Sequence, residues 1–217
     1  MKGDSRMIRT LKLNSMRTFM AIVAAAFTTA GATASGPEKA VIGGEAPAFK
    51  LTDLEGKKHD LAEYTKEGKV VVLEWFNPEC PFVKKHYAGE DKTMIALQEE
   101  FKNDEVVWLR INSGAEGKQG AGLEHNKKRA EEFGIETPIL LDESGKVGQM
   151  YGAKRTPELF IIDTDGRIQY HGAIDDNPGP QLTGKETNYV KDALRQVLAG
   201  ETVTMRETRA YGCGVKY

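Results

Sequence analysis

Val70-Val71-Val72-Leu73-Glu74-Trp75-Phe76-Asn77-Pro78-Glu79-Cys80-Pro81-Phe82-Val83 is the stretch that decides the fold. Its first half is β-branched and aromatic, the composition of a buried strand. Asn77-Pro78 breaks the run. Pro81 then stands at the first position of a helix, where its missing N–H costs nothing. Cys80 is thereby set at a helix N-terminus, where unpaired amides and the helix dipole favour an anion. Lys84 and Lys85, in the first turn, act in the same sense. Strand, tight turn, cysteine and helix form a layout for a reactive thiol. The competing expectation is a buried structural cysteine.

The flanking sequence alternates short strands and helices. Residues 44–61 alternate apolar and polar around Asp53-Leu54-Glu55-Gly56 and predict a hairpin. Tyr64 to Lys69 predicts a polar connection. A single long helix is expected from Pro81 to Phe101, with Val83, Tyr87, Met94, Leu97 and Phe101 as its buried stripe and Gly89 as a kink. Glu105 to Ile111 predicts a second buried strand. Asn112 to Gly122 carries glycines at 114, 117, 120 and 122 and predicts a mobile loop at a strand end, where α/β proteins place function. It lacks the spacing of a phosphate-cradling loop. Leu123 to Phe133 predicts a helix closed by Gly134, Pro138 to Asp142 a strand, and Gly145 to Tyr151 a short helix. Thr156 to Asp163 predicts a strand that turns at Asp165-Gly166 into Arg167 to His171. Asn177 to Gly184 is a Pro/Gly linker, and Asn188 to Leu198 the last helix. This order implies an α/β fold with a mixed central β-sheet flanked by helices.

Thirty Lys and Arg against 32 Asp and Glu leave a net charge of −2, so no basic excess points to nucleic acid. At 217 residues, 40% hydrophobic and 29% charged, the chain has room for one sizeable core. Its N-terminus reads separately. Lys2, Arg6, Arg9, Lys12 and Arg17 precede an apolar run, Phe19 to Phe27, too short to span a bilayer; Ala32-Thr33-Ala34 follows. Basic, apolar and A-x-A segments in that order predict a secretory signal peptide over 1–34, starting at Met1 or Met16. An uncleaved anchor is the competing expectation. A flexible leader at 35–43, a domain at 44–200 and a tail at 201–217 would follow. A periplasmic or extracellular location without stable membrane insertion is expected, in an oxidising compartment where two cysteines can pair.

Gly44-x-Ala46-Pro47-x-Phe49-x-Leu51 resembles the opening of the AhpC/TSA (redoxin) family, within the thioredoxin superfamily. Trp75-Phe76-Asn77-Pro78-Glu79-Cys80 resembles the thioredoxin active-site approach. Thr156-Pro157 looks like the threonine–cis-proline element opposite the active cysteine of that fold, and Phe160-Ile161-Ile162-Asp163-x-Asp165-Gly166 is typical of both groups. Tyr211-Gly212-Cys213-Gly214-Val215-Lys216-Tyr217 resembles a peroxiredoxin-like subgroup whose active segment also reads Cys-Pro-x-Val-Lys. The resemblance covers 42–217 and implies a thioredoxin-like fold with an N-terminal β-hairpin extension. The departures are specific. Val83 stands where a thioredoxin has its second cysteine, and Leu73 and Asn77 stand where a peroxiredoxin has its proline and threonine.

What the resemblance implies is thiol-dependent redox chemistry at Cys80, including the reduction of peroxides, as an antioxidant. A thiolate attacking a peroxide becomes a sulfenic acid, which a second thiol must resolve. Cys213 is the only other cysteine, and its Gly-Cys-Gly setting suits a mobile partner. Asn77 and Arg155 are the candidate donors to the leaving oxygen, with Thr156 and Pro157 completing the site. The expected partners are a peroxide or disulfide substrate and an external thiol reductant, with no cofactor and no metal. Two alternatives stay open. A Cys80–Cys213 disulfide that is purely structural would stabilise the fold by roughly 4–5 kcal/mol in the chain-entropy model and leave a non-enzymatic, partner-binding module. Thiol–disulfide exchange is the other. His86 is expected to turn away from Cys80, and Asp175-Asp176 to form a solvated turn.

Overall fold

The computed structural model describes residues 39–89, 91–102 and 105–217. The expected signal peptide and residues 35–38 of the leader lie outside them. The rest of the leader is tied down: the amides of Ala40 and Gly43 donate to the carbonyls of Met150 and Ile168 at 3.3 and 2.8 Å. Along the chain come β1 (Lys50–Asp53), β2 (Lys58–Asp60), α1 (Leu61–Lys66), β3 (Val70–Trp75), α2 (Pro81–Tyr87), α3 (Thr93–Glu100), β4 (Val106–Asn112) and α4 (Leu123–Phe133). Then follow β5 (Ile139–Leu141), α5 (Lys146–Tyr151), β6 (Arg155–Thr156), β7 (Glu158–Ile162), β8 (Ile168–Gly172), α6 (Tyr189–Leu198) and β9 (Cys213–Gly214).

Seven strands form one mixed sheet in the order β2-β1-β5-β4-β3-β7-β8. β3 lies inside it, parallel to β4 and antiparallel to β7, so both of its faces are covered and its sequence is continuously apolar. Side chains alternate between the faces. Val70, Val72 and Phe76 enter a core shared with α2, α3, α4 and α6, while Val71, Leu73 and Trp75 enter one shared with α1 and α5. Each buried Val or Leu contributes about 1.5–3 kcal/mol. The expected hairpin is present, with the Asp53 carboxylate accepting from the amides of Glu55 and Lys57 at 3.0 and 2.8 Å. It is an edge of the main sheet, because β1 pairs with β5.

Three expectations give way to local physics. Asp60 accepts from the Ala62 amide at 3.0 Å and caps α1, so the expected polar connection begins as a helix. The long helix divides into α2 and α3 around Gly89, a poor helix former, with Lys92 at φ 36° opening α3. The predicted stripe of Val83, Tyr87, Met94, Leu97 and Phe101 is nevertheless buried on both sides of the break. The strand expected over Thr156 to Asp163 divides at the cis Thr156-Pro157 bond, and β6 leaves the main sheet to pair with β9. Proline has no N–H for a ladder.

Candidate functional site

Cys80 is the N-cap of α2 and has no solvent exposure. Its thiol donates to the Thr156 carbonyl at 2.9 Å. Thr156 is also the register partner of Cys213, with Arg155 opposite Gly214. One residue thus holds both cysteines: its carbonyl faces Cys80, and its backbone pairs with Cys213. Both are free thiols. Cys213 is half-buried and packs against the core that contains Cys80. Burial, and then the neighbouring Cys80 sulfur, push the Cys213 thiol up to about 11, against Lys216 and Arg155.

The tail is not the mobile arm that Gly-Cys-Gly suggests. Upstream of Cys213, the Tyr211 hydroxyl donates to Asp175 Oδ1 at 2.5 Å and lies 3.1 Å from His86 Nε2. Its ring packs edge-on against Phe82 and under Lys85 Nζ, 4.5 Å from the centroid. Downstream, the Val215 amide donates to the Lys154 carbonyl at 3.2 Å, and the Tyr217 hydroxyl to the Ala153 carbonyl at 2.8 Å. Gly212 is required between these anchors. Its φ is +116°, and a Cβ would fall 2.2 Å from the Thr156 carbonyl oxygen.

Of the expected donors, Asn77 is engaged elsewhere. The Asn77 amide group donates to the Gln119 carbonyl at 3.1 Å, and its oxygen accepts from the Glu79 amide at 2.9 Å. Asn77 therefore pins the glycine-rich loop under Gly120, where a Cβ would lie 2.1 Å from Asn77 Oδ1. Asn112 and Asn126 also donate to the Gly120 carbonyl, at 2.8 and 3.0 Å, so this loop is held and not mobile. Arg155 is exposed and lines a cleft of about 540 Å³ that also touches Tyr211 and Gly212. Lys84 and Lys85 have partners other than the thiol. Lys84 pairs with Glu79 at 2.8 Å, and Lys85 donates to the carbonyls of Asn177 and Gly179 at 2.5 and 3.0 Å. Thr156 and Pro157 are buried beside Cys80, and Thr156 Oγ1 has no partner among the described residues.

Two groups were not anticipated. Glu74, the one charge within the apolar strand, is fully buried. It accepts from Tyr87 and lies 3.5 Å from Arg110 Nε, its register neighbour on β4. Burial pushes its carboxyl up, opposed by Arg110 and Tyr87. The sequence signal was a single acid within an otherwise apolar strand, which calls for a buried hydrogen-bonding or charged partner. Asp175 is the second: it is 2% exposed, not a solvated turn. Its burial raises its pKa against the Tyr211 hydrogen bond. His86 is fully buried with Tyr211 as its hydrogen-bond partner, and burial with the Lys85 charge lowers it to about 3.

The AhpC/TSA family model matches residues 42–171. The "Thiol-disulfide oxidoreductase ResA" of Geobacillus thermodenitrificans (strain NG80-2) is 34% identical over 128 residues, 59% of this chain and 67% of that protein. A crystal structure of an uncharacterized conserved protein from Geobacillus kaustophilus is 31% identical at a TM-score of 0.71, covering 82% of this chain and 92% of that one. A hypothetical protein from Sinorhizobium meliloti 1021 is 26% identical at 0.73, covering 83% and 96%. The chain belongs to the AhpC/TSA family and has a thioredoxin-like fold.

Proposed function

We propose that this AhpC/TSA-family chain is a thiol–disulfide oxidoreductase whose redox pair is Cys80 and Cys213. The observation that carries the reading is the β6–β9 register, which sets Cys213 against Thr156 while the Thr156 carbonyl meets Cys80 Sγ. The tail supplies the second thiol that Val83 cannot. The similarity to ResA proteins supports disulfide exchange as the reaction. In it the two thiols give two electrons and two protons to a disulfide substrate and close as Cys80–Cys213; a thiol reductant reverses the step. The N-terminal basic–apolar–A-x-A run supports export, to a compartment in which such a pair cycles. Peroxide reduction, the other reaction within the resemblance, needs an oxidant to reach a thiol with no exposure. It also needs a donor such as Asn77, whose amide group is taken by the Gln119 carbonyl.

The test is a single turnover of the reduced protein with either glutathione disulfide or hydrogen peroxide, followed by mass spectrometry, in wild type and Cys213→Ser. The expected result is a Cys80–Cys213 disulfide from glutathione disulfide, with peroxide reacting no faster than with a free thiol. Oxidation of Cys80 by peroxide orders of magnitude faster than a free thiol would make the protein a peroxidase. Absence of the intramolecular disulfide under all conditions would overturn the redox pair.

A further inference from the structure

Resting on that redox pair, we infer that the external thiol reductant attacks Cys213, not Cys80, so the tail cysteine is the one through which electrons enter. Disulfide exchange is an in-line displacement, and the nucleophile must approach the attacked sulfur from the side opposite the leaving sulfur. For Cys80 that side is the interior. The residue has no exposure, belongs to the core with Phe76, Val83 and Leu159, and has the Thr156 carbonyl oxygen 2.9 Å from its sulfur. Cys213 is only partly buried, and the residue before it, Gly212, lines the 540 Å³ cleft together with Arg155 and Tyr211, so an approach to this cysteine exists that Cys80 lacks. In the folded state the tail stays over this site, anchored on both sides by Tyr211 and Tyr217.

The reductant is a protein or small-molecule dithiol. One of its thiolates attacks Cys213 Sγ, and a mixed disulfide forms as the Cys80–Cys213 bond breaks. The electron pair leaves on Cys80 Sγ, which takes a proton. The second reductant thiolate then attacks the reductant sulfur of the mixed disulfide. A disulfide forms within the reductant, and Cys213 leaves and is protonated. Two electrons and two protons pass from dithiol to protein. The geometry selects this entry, and the weak acidity of the Cys213 thiol adds one consequence: a high-pKa thiol is a slow leaving group. With a monothiol the mixed disulfide at Cys213 therefore persists long enough to be seen.

The experiment mixes the oxidised wild-type protein with excess reduced glutathione. The reaction is quenched in acid at early times, free thiols are alkylated, and the adduct is mapped by peptide mass spectrometry. At least a tenfold excess of glutathione on Cys213 over Cys80, with Cys80 recovered alkylated, is the expected result. Adduct mainly on Cys80, or equal on both, would overturn the inference while leaving the redox pair intact. Failure of oxidised protein to contain the Cys80–Cys213 bond at all, seen before glutathione is added, would overturn the redox pair and this inference with it.

Discussion

Cys80 and Cys213 reach the same threonine from regions built in different ways. Cys80 sits where β3, fully buried and paired on both edges, meets α2; its position follows from residues within a few places of it. Cys213 sits in the stretch after α6, whose own ladder is two residues long and whose order is imported from distant groups. These are Asp175 and His86 on Tyr211, Lys154 on Val215 and Ala153 on Tyr217. A strand in the middle of a sheet is stabilised by packing that only global unfolding removes. A strap held by a few polar contacts can open locally at lower free energy. The pair therefore joins a rigid thiol to one whose position can be tuned separately.

The largest effect that would sharpen this contrast lies in the scaffold. Trp75 is fully buried against Tyr151 and Phe160, and its Nε1 donates to Ser113 at 3.1 Å. Trp75→Ala should cost about 3–5 kcal/mol in denaturant unfolding, and both thiols should become reactive together. A loss under about 1 kcal/mol would mean that the strand is not the rigid half.

Next in size is the acid response of the tail clasp. His86 falls to about 3 in the folded protein from an unfolded value near 6.5, so between these values the unfolded chain binds more protons. Its contribution to stability is thus present above pH 6.5 and is lost as pH falls toward 3. The groups that face it are Lys85, Glu186, Tyr211 and Asp175. Buried Asp175 and Glu74 have raised values and oppose the trend. The readout is therefore the difference between wild type and His86→Gln. Relative to the variant, wild type should lose about 2–3 kcal/mol between pH 6.5 and 4, with Cys213 alkylation accelerating first. A pH-independent difference would remove His86 from the clasp.

The smallest stability effect has the most local consequence. Gly212→Ala places a Cβ 2.2 Å from the Thr156 carbonyl at a φ of +116° and should cost about 1–2 kcal/mol. Alkylation of Cys80 should rise at least tenfold as β9 lifts from β6, with the unfolding midpoint lowered by only a few degrees. If Cys80 stays protected in this variant, β9 is not its cover.

Much of this was legible because it was written locally. Val70 to Trp75, β-branched and aromatic, read as a buried strand and is one. Gly134 ended α4 and Asp53-Leu54-Glu55-Gly56 made the β1–β2 turn as their φ preferences require. Where reading failed, a distant partner had changed the meaning of a residue. Asp175 read as solvated until Tyr211 arrived to donate to it. Asn77 read as a free donor until Gln119 and Gly120 closed over it. Gly212 and Gly214 read as looseness, although Gly212 is the residue that permits close contact with Thr156.

The sequence by itself determined the α/β layers and Cys80 at the end of a buried strand and the start of a helix, which depend on side-chain periodicity and on steric rules acting over a few residues; the family was legible only through motif resemblance. Only the tertiary structure decided that Cys213 lies beside Cys80, that Glu74 meets Arg110 and Tyr87, and which of the two cysteines is fully buried. Those follow from contacts between residues far apart in the chain, whose pairing no local pattern encodes, because burial and hydrogen bonding are properties of the assembled fold.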